Sequence, residues 1–314
     1  MELTIGVDVG GTKIAAGVVD PEGNLIEKVR VETPATTAQA VEQGIVTAVR
    51  RLQARHPATS VGLAVAGFVD EKRSTLRFAP NLPMVERPLR DIIGGSVGLP
   101  VVVENDASAA AWGEYRFGGG RGNHDVVLIT VGTGLGGGIV LEGRLFRGAF
   151  GTAGEFGHVR MVPDGLPCGC GNHGCWEQYT SGSALIRQAR AVARSRPGHA
   201  RALLDLAGGD PEGITGRMIT AAAEEGDTTA RGLLADVGRW LGEGIVDLAN
   251  VLDPAVVVIG GGVSDAGDLL LEPARVAYSR LLSAGSHRPH LRIVAAELGN
   301  DAGLIGAADL ARQR

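Results

Sequence analysis

All three cysteines of the 314-residue chain fall in one glycine-rich stretch, Cys168-Gly169-Cys170-Gly171-Asn172-His173-Gly174-Cys175, with Glu155-Phe156-Gly157-His158 just upstream. Three soft thiolates and one imidazole make the Cys₃His set of a closed, structural, tetrahedral zinc site. The odd cysteine count and the lack of an export signal argue against a disulfide. Spacing alone leaves open whether His158 or His173 is the fourth ligand, although His173 would have to fold back on a very short tether. Either way the metal would fix the backbone around His158 and Glu177. Two further carboxylates stand out. Asp8 closes the apolar run Ile5-Gly6-Val7-Asp8-Val9, where aspartate is disfavoured unless it has a task such as holding Mg²⁺ through water. Asp106, in Glu104-Asn105-Asp106-Ala107-Ser108, lies where a strand gives way to a helix. Such a place suits an ordinary N-cap, and it is also the mouth of an α/β crevice where polar groups gather around a ligand.

Glycine is the compositional outlier at 49 residues, and it clusters in turns. Clustered glycine brings backbone close to something, often phosphate. Gly6-Val7-Asp8-Val9-Gly10-Gly11-Thr12-Lys13 imitates a Walker A loop, but the order Thr-Lys and the strand that follows exclude it. Gly132-Thr133-Gly134-Leu135-Gly136-Gly137 satisfies the dinucleotide fingerprint, yet a strand again follows where that motif requires a helix. What remains is two glycine hairpins whose N–H groups can donate to phosphate oxygens. Lys13 reads equally well as a solvated strand residue.

These residues need elements to position them. The chain opens as a meander, Leu3 to Val9, Ile14 to Val19 and Leu25 to Val31. A helix near Thr37 to Arg55, a buried strand at Val61 to Ala66, a short helix near Leu89 to Val97, a strand at Val101 to Glu104 and a helix at Ala107 to Phe117 follow. Val126 to Val131, the Gly132 turn, Gly137 to Leu141 and Glu142-Gly143-Arg144 then repeat the opening order, which predicts a duplicated α/β unit. Helices are expected at Ser183 to Arg194, Thr215 to Glu225 and Thr228 to Asn250, then a strand at Val256 to Ile259 with its Gly260-Gly261-Gly262 turn. A last helix near Ala302 to Arg312 is expected to return to the first domain. The division this predicts is a small domain of residues 1–109 plus 301–314 and a large one of residues 110–300 carrying the cysteine loop.

The 44% hydrophobic content supports a sizeable core. A net charge of −5 argues against a nucleic-acid surface. The longest uncharged stretch, Val126 to Leu141, is too short and glycine-rich for a membrane span. The first ten residues carry no signal-peptide pattern, so a cytoplasmic protein is expected.

Together, Asp8-Val9-Gly10-Gly11-Thr12-Lys13, the Val131 to Gly138 turn, Glu155-Phe156-Gly157-His158, the cysteine loop and Val258-Ile259-Gly260-Gly261-Gly262-Val263 resemble the ROK family of bacterial sugar kinases and sugar-responsive repressors. The likeness runs from about Leu3 to Gly306 and is strongest to the glucokinases of high-GC Gram-positive bacteria. It implies the actin-like ATPase, or ribonuclease H-like, fold: two duplicated α/β domains with a cleft between them. It implies ATP-dependent phosphorylation of the 6-hydroxyl of glucose, with Asp106 as general base and Mg²⁺ as cofactor. It places Gly67, Asn81, Asn105, Glu155, His158 and Glu177 on the sugar. Asp8, Gly10, Gly11, Thr12, Lys13, Gly132, Thr133, Gly134 and Gly136 fall to the nucleotide phosphates, and Gly260, Gly261 and Gly262 to its adenosine. One structural Zn²⁺ per chain is expected on His158, Cys168, Cys170 and Cys175, and a homodimer or homotetramer as the assembly. Mannose, fructose or an N-acetylhexosamine are alternative substrates, and polyphosphate an alternative donor. A non-catalytic sugar-sensing regulator is the reading from another class; the repressors place a helix-turn-helix before the kinase fold, and here Asp8 arrives too early for one.

Overall fold

The computed structural model describes residues 2–34 and 36–313. The chain runs β1 (Leu3–Val9), β2 (Lys13–Val19), β3 (Leu25–Glu32), α1 (Ala38–Gln53), β4 (Ala58–Val65), then three short strands β5 (Phe68–Val69), β6 (Leu76–Phe78) and β7 (Val85–Arg87). α2 (Leu89–Val97), β8 (Val101–Asn105) and α3 (Asp106–Phe117) follow, then β9 (Val126–Val131), β10 (Leu135–Leu141) and β11 (Arg144–Phe146). The remainder is α4 (Gly182–Ser195), α5 (Arg201–Leu206), α6 (Gly216–Glu224), α7 (Thr228–Leu252), β12 (Val256–Gly260), α8 (Asp268–Leu281), β13 (Arg292–Ala295) and α9 (Ala302–Arg312).

The predicted duplication is visible in strand order. One sheet runs β3-β2-β1-β4-β8 and the other β11-β10-β9-β12-β13, the same sequence of two hairpin strands, a central strand and two crossover strands. In the first, β1 and β2 pair antiparallel while β1, β4 and β8 run parallel. Alternation along β1 sends Ile5, Val7 and Val9 into a core shared with Val41, Ile45, Val49 and Leu52 of α1 and Leu89 and Ile93 of α2. The opposite face of the same sheet packs against Leu304, Ile305 and Ala308 of α9. α9 lies so close that a Cβ on Gly6 or Gly62 would come within 1.9 Å of its backbone carbonyls. The last helix thus returns to the first sheet as expected.

The compact units do not follow the expected boundaries. One comprises Met1–Leu128, Gly137–Gly154 and Ala296–Arg314, the other Ile129–Gly136 and Glu155–Ala295. α3 belongs wholly to the first unit because it rides on α9: a Cβ on Gly306 would sit 1.8 Å from the Ala109 carbonyl. β10 from Gly137 onward, and the segment after it to Gly154, go the same way, with Gly138 against Ala111 and Arg147 paired with the buried Glu104. Both helix-to-backbone approaches depend on glycine, a signal present in the sequence but unreadable without knowing the partner.

No pattern in the sequence marks the small β5-β6-β7 sheet, α5, α8 or β13. Strands of two or three residues carry no period, and Pro273 inside α8 reads as a helix break. Among the described residues no helix is long and apolar enough to cross a membrane.

Candidate active site

In the first unit, β8 delivers Asn105 and α3 begins at Asp106. The cap of α3 is Asn105, whose Oδ1 accepts the Ser108 N–H at 2.9 Å. Asp106 is therefore not consumed by capping. The Asn105 amide donates to the Gly67 carbonyl (3.1 Å) and to Asp106 Oδ1 (3.1 Å), and the Ala107 N–H adds a second bond to that same oxygen (2.9 Å). Gly67, Asn105 and Asp106 are so brought together, with the Asp106 hydrogen bonds concentrated on one carboxylate oxygen. Burial holds the Asp106 carboxyl above the usual carboxylate range, against those hydrogen bonds. Glu104, 2% exposed, is paired with Arg73 and Arg147 and fixes the end of β8 from behind.

Asp8 sits on β1 between Ala15 of β2 and Ala64 of β4. Burial first, and the Asp106 charge second, push it from 3.8 up to about 6. The two aspartates picked out in the sequence therefore feel one another. The β1–β2 turn, Gly10 to Thr12, closes with the Gly10 N–H on the Lys13 carbonyl and the Thr33 hydroxyl on the Gly10 carbonyl (2.7 Å). Lys13 is exposed. Asn81 packs on Gly11, and among the described residues no hydrogen bond joins it to Asn105 or Asp106.

A carboxyl whose folded value lies above its unfolded one binds a proton more tightly in the folded state. Its contribution to stability is full below 3.8 and is lost as pH rises to about 6. Ligand-free Asp8→Asn is therefore expected to exceed the wild type in stability at pH 7.5 by ~1–3 kcal/mol, a gain that vanishes near pH 4. Urea unfolding at the two pH values reads this directly; a gain of equal size at both would mean that the Asp8 charge is not the cause.

In the second unit, His158 ends a 3₁₀ turn, Phe156–His158, and Glu177 lies in another, Trp176–Gln178. The two segments pair: Arg160 bridges Cys175, and the Trp176 N–H donates to the Val159 carbonyl at 2.8 Å. Gly174, at φ +76°, lets the loop turn where any Cβ would strike the Val162 carbonyl. Trp176, 1% exposed, anchors the second turn by packing on Gly244 of α7 and donating its indole N–H to the Trp240 carbonyl. Neither Trp176 nor Gly244 was marked by the sequence, because their role lies in this contact.

One donor atom from each of His158, Cys168, Cys170 and Cys175 falls within 4.8 Å of all the others, and His173 is not among them. Cys170 and Cys175 sulfurs are 3.6 Å apart and Cys168 Sγ is 3.8 Å from His158 Nδ1. A tetrahedron with bonds of about 2.3 Å has edges near ~3.8 Å, so this set fits zinc. Burial and then the Glu177 carboxylate push the Cys168 thiol up to about 12, while the Asn172 N–H draws Cys170 down to about 7. Glu177 Oε1 accepts the Cys168 thiol at 2.9 Å, and its other oxygen lies 2.8 Å from where a Cβ on Gly134 would be. Glu155 precedes the His158 turn and its carbonyl accepts the His158 N–H.

The second glycine turn is shorter than expected. β10 begins at Leu135, so Gly136 lies in the strand and the turn is Gly132 to Gly134. Gly260 ends β12, and Gly261 packs on Val131, the residue that leads into that turn.

The ROK family model matches residues 4–314. The chain belongs to the ROK family. It is 54% identical to a glucokinase of Streptomyces coelicolor over 313 residues, all of this chain and 98% of that protein. A solved ROK family glucokinase from Streptomyces griseus, in complex with glucose and AMPPNP, superposes with a TM-score of 0.90 at 54% identity, covering 99% of this chain and 100% of that one. A ROK hexokinase from Thermus thermophilus gives 0.84 at 36% identity, over 99% and 98% of the two chains. The chain has the actin-like ATPase fold of these sugar kinases, in two α/β domains, and the repeated strand order is its signature.

Proposed function

We propose that this ROK protein is an ATP-dependent glucokinase that transfers the γ-phosphoryl group to the 6-hydroxyl of glucose, giving glucose 6-phosphate and ADP. The observation that carries the reading is the Asn105 cap: by holding the α3 N-terminus itself, Asn105 leaves the Asp106 carboxylate for a substrate. Asp106 then orients the sugar hydroxyl and takes its proton as the bond to phosphorus forms. The likeness to the Streptomyces glucokinases, one of them solved with glucose and AMPPNP, supports the choice of sugar and donor.

Asn105, Gly67, Asn81, Glu155, His158 and Glu177 are assigned to sugar recognition. A hexose site must replace the water on every ring hydroxyl and reject epimers by leaving them unpaired. Zinc on His158, Cys168, Cys170 and Cys175 supplies no chemistry of its own. Held there, the ring of His158 would keep its other nitrogen for a sugar hydroxyl, and Glu177, two residues beyond Cys175, would be held with it. Asp8 and the two glycine turns are assigned to Mg²⁺ and the phosphates, and the Gly260 turn to adenosine. We assign the enzyme to the cytoplasm, as a homodimer or homotetramer.

ADP release measured against a panel of hexoses, with ATP and with polyphosphate, tests this. Glucose with ATP should give the highest kcat/KM. A higher value for mannose, fructose or an N-acetylhexosamine would move the protein to the alternative kinase reading, and no turnover with any sugar would make it a sensor.

A further inference from the structure

The turn Gly132 to Gly134 is held from behind by the start of α4. Ser181 caps that helix, accepting the Ala184 N–H at 3.1 Å. The first two helical N–H groups have no partner within the helix, and both go to the turn: Gly182 N–H to the Gly132 carbonyl (2.7 Å) and Ser183 N–H to the Thr133 carbonyl (3.4 Å). The Ser183 hydroxyl donates to that same Thr133 carbonyl at 2.7 Å. In a trans peptide the carbonyl and the following N–H point in opposite directions. With the Gly132 and Thr133 carbonyls both drawn toward α4, the Thr133 and Gly134 N–H groups are both turned away from it. Neither of them donates to a backbone carbonyl or a side chain among the described residues. Two successive unspent N–H groups on one side of a glycine turn make an anion-binding concavity.

We propose that Ser183 is a positioning residue for the phosphoryl donor: its hydroxyl, with the first turn of α4, locks the peptide planes that aim Thr133 N–H and Gly134 N–H at the nucleotide phosphates. The proposal rests on the reading of this turn as the phosphate hairpin. Ser183 touches no phosphate itself. Because the helix spends its N-terminal donors on the turn, the turn, and not the helix, meets the ligand.

The test is titration of Ser183→Ala and Ser183→Thr with AMPPNP and with adenosine, alongside steady-state kinetics. Ser183→Ala should weaken AMPPNP binding and raise the ATP KM by roughly 3- to 10-fold, the size of one lost hydrogen bond. Adenosine affinity, the glucose KM and Tm should stay at wild-type values, and Ser183→Thr, which keeps the hydroxyl, should restore the ATP constant. A merely structural role would move Tm or all ligands together, and that result overturns the proposal. So does an unchanged AMPPNP constant in Ser183→Ala while the wild type binds AMPPNP tightly. If the wild type binds AMPPNP no better than adenosine, the phosphate-hairpin reading itself fails.

Discussion

Asp106→Asn is expected to lower kcat by ~10²–10⁴-fold with glucose saturating, the span over which a positioned general base acts. The fold should survive, since an amide of the same shape can keep the bonds from Ala107 and Asn105 by presenting its oxygen where Oδ1 now lies. Glucose binding should therefore change little while turnover collapses. The acidic limb of the rate profile should also change. Burial raises the wild-type carboxyl, so turnover climbs with pH as Asp106 ionises; the residual rate of the variant should lack that dependence. Turnover within threefold of wild type would remove Asp106 from the role of base.

Loss of the metal should be nearly as visible. Cys175→Ser is expected to lower zinc content and raise the glucose constant by roughly 10–100-fold, the usual cost of disturbing a ligand or its support. The ATP constant should rise by a smaller factor. The second glycine turn lies outside the cysteine loop in sequence, but Glu177, two residues beyond Cys175, has a carboxylate oxygen beside Gly134. Part of the disturbance therefore reaches the donor side. Unchanged constants in soluble, zinc-free protein would make the loop a remote staple and withdraw His158 and Glu177 from the sugar.

What the sequence made legible was what short-range physics writes into it. The opening meander, α1 and the returning α9 follow from alternation, helical period and turn residues, and Thr37 caps α1 where the pattern begins. The crowding of three cysteines beside His158 is a compositional signal strong enough to read without coordinates. Asp106 was ambiguous, because aspartate at a helix start is so often a cap; only the geometry hands that task to Asn105. Trp176, Gly244 and Ser183 carried no signal at all. A buried tryptophan, a helix glycine and an exposed serine are ordinary residues, and their roles arise from neighbours distant in the chain, such as Gly244 of α7 against Trp176 and Ser183 against Thr133. The compact units depart from the expected boundary through contacts of the same kind: nothing local in α3 announces that its backbone will meet Gly306.

The position of the transferred phosphate on the sugar separates a glucose 6-kinase from every other outcome. Incubated with glucose, ATP and Mg²⁺, the protein should yield ADP and one phosphomonoester whose phosphorus couples in NMR to the two protons on C6. A phosphorus coupled to the anomeric proton, or ADP accumulating with no sugar phosphate, would contradict the account.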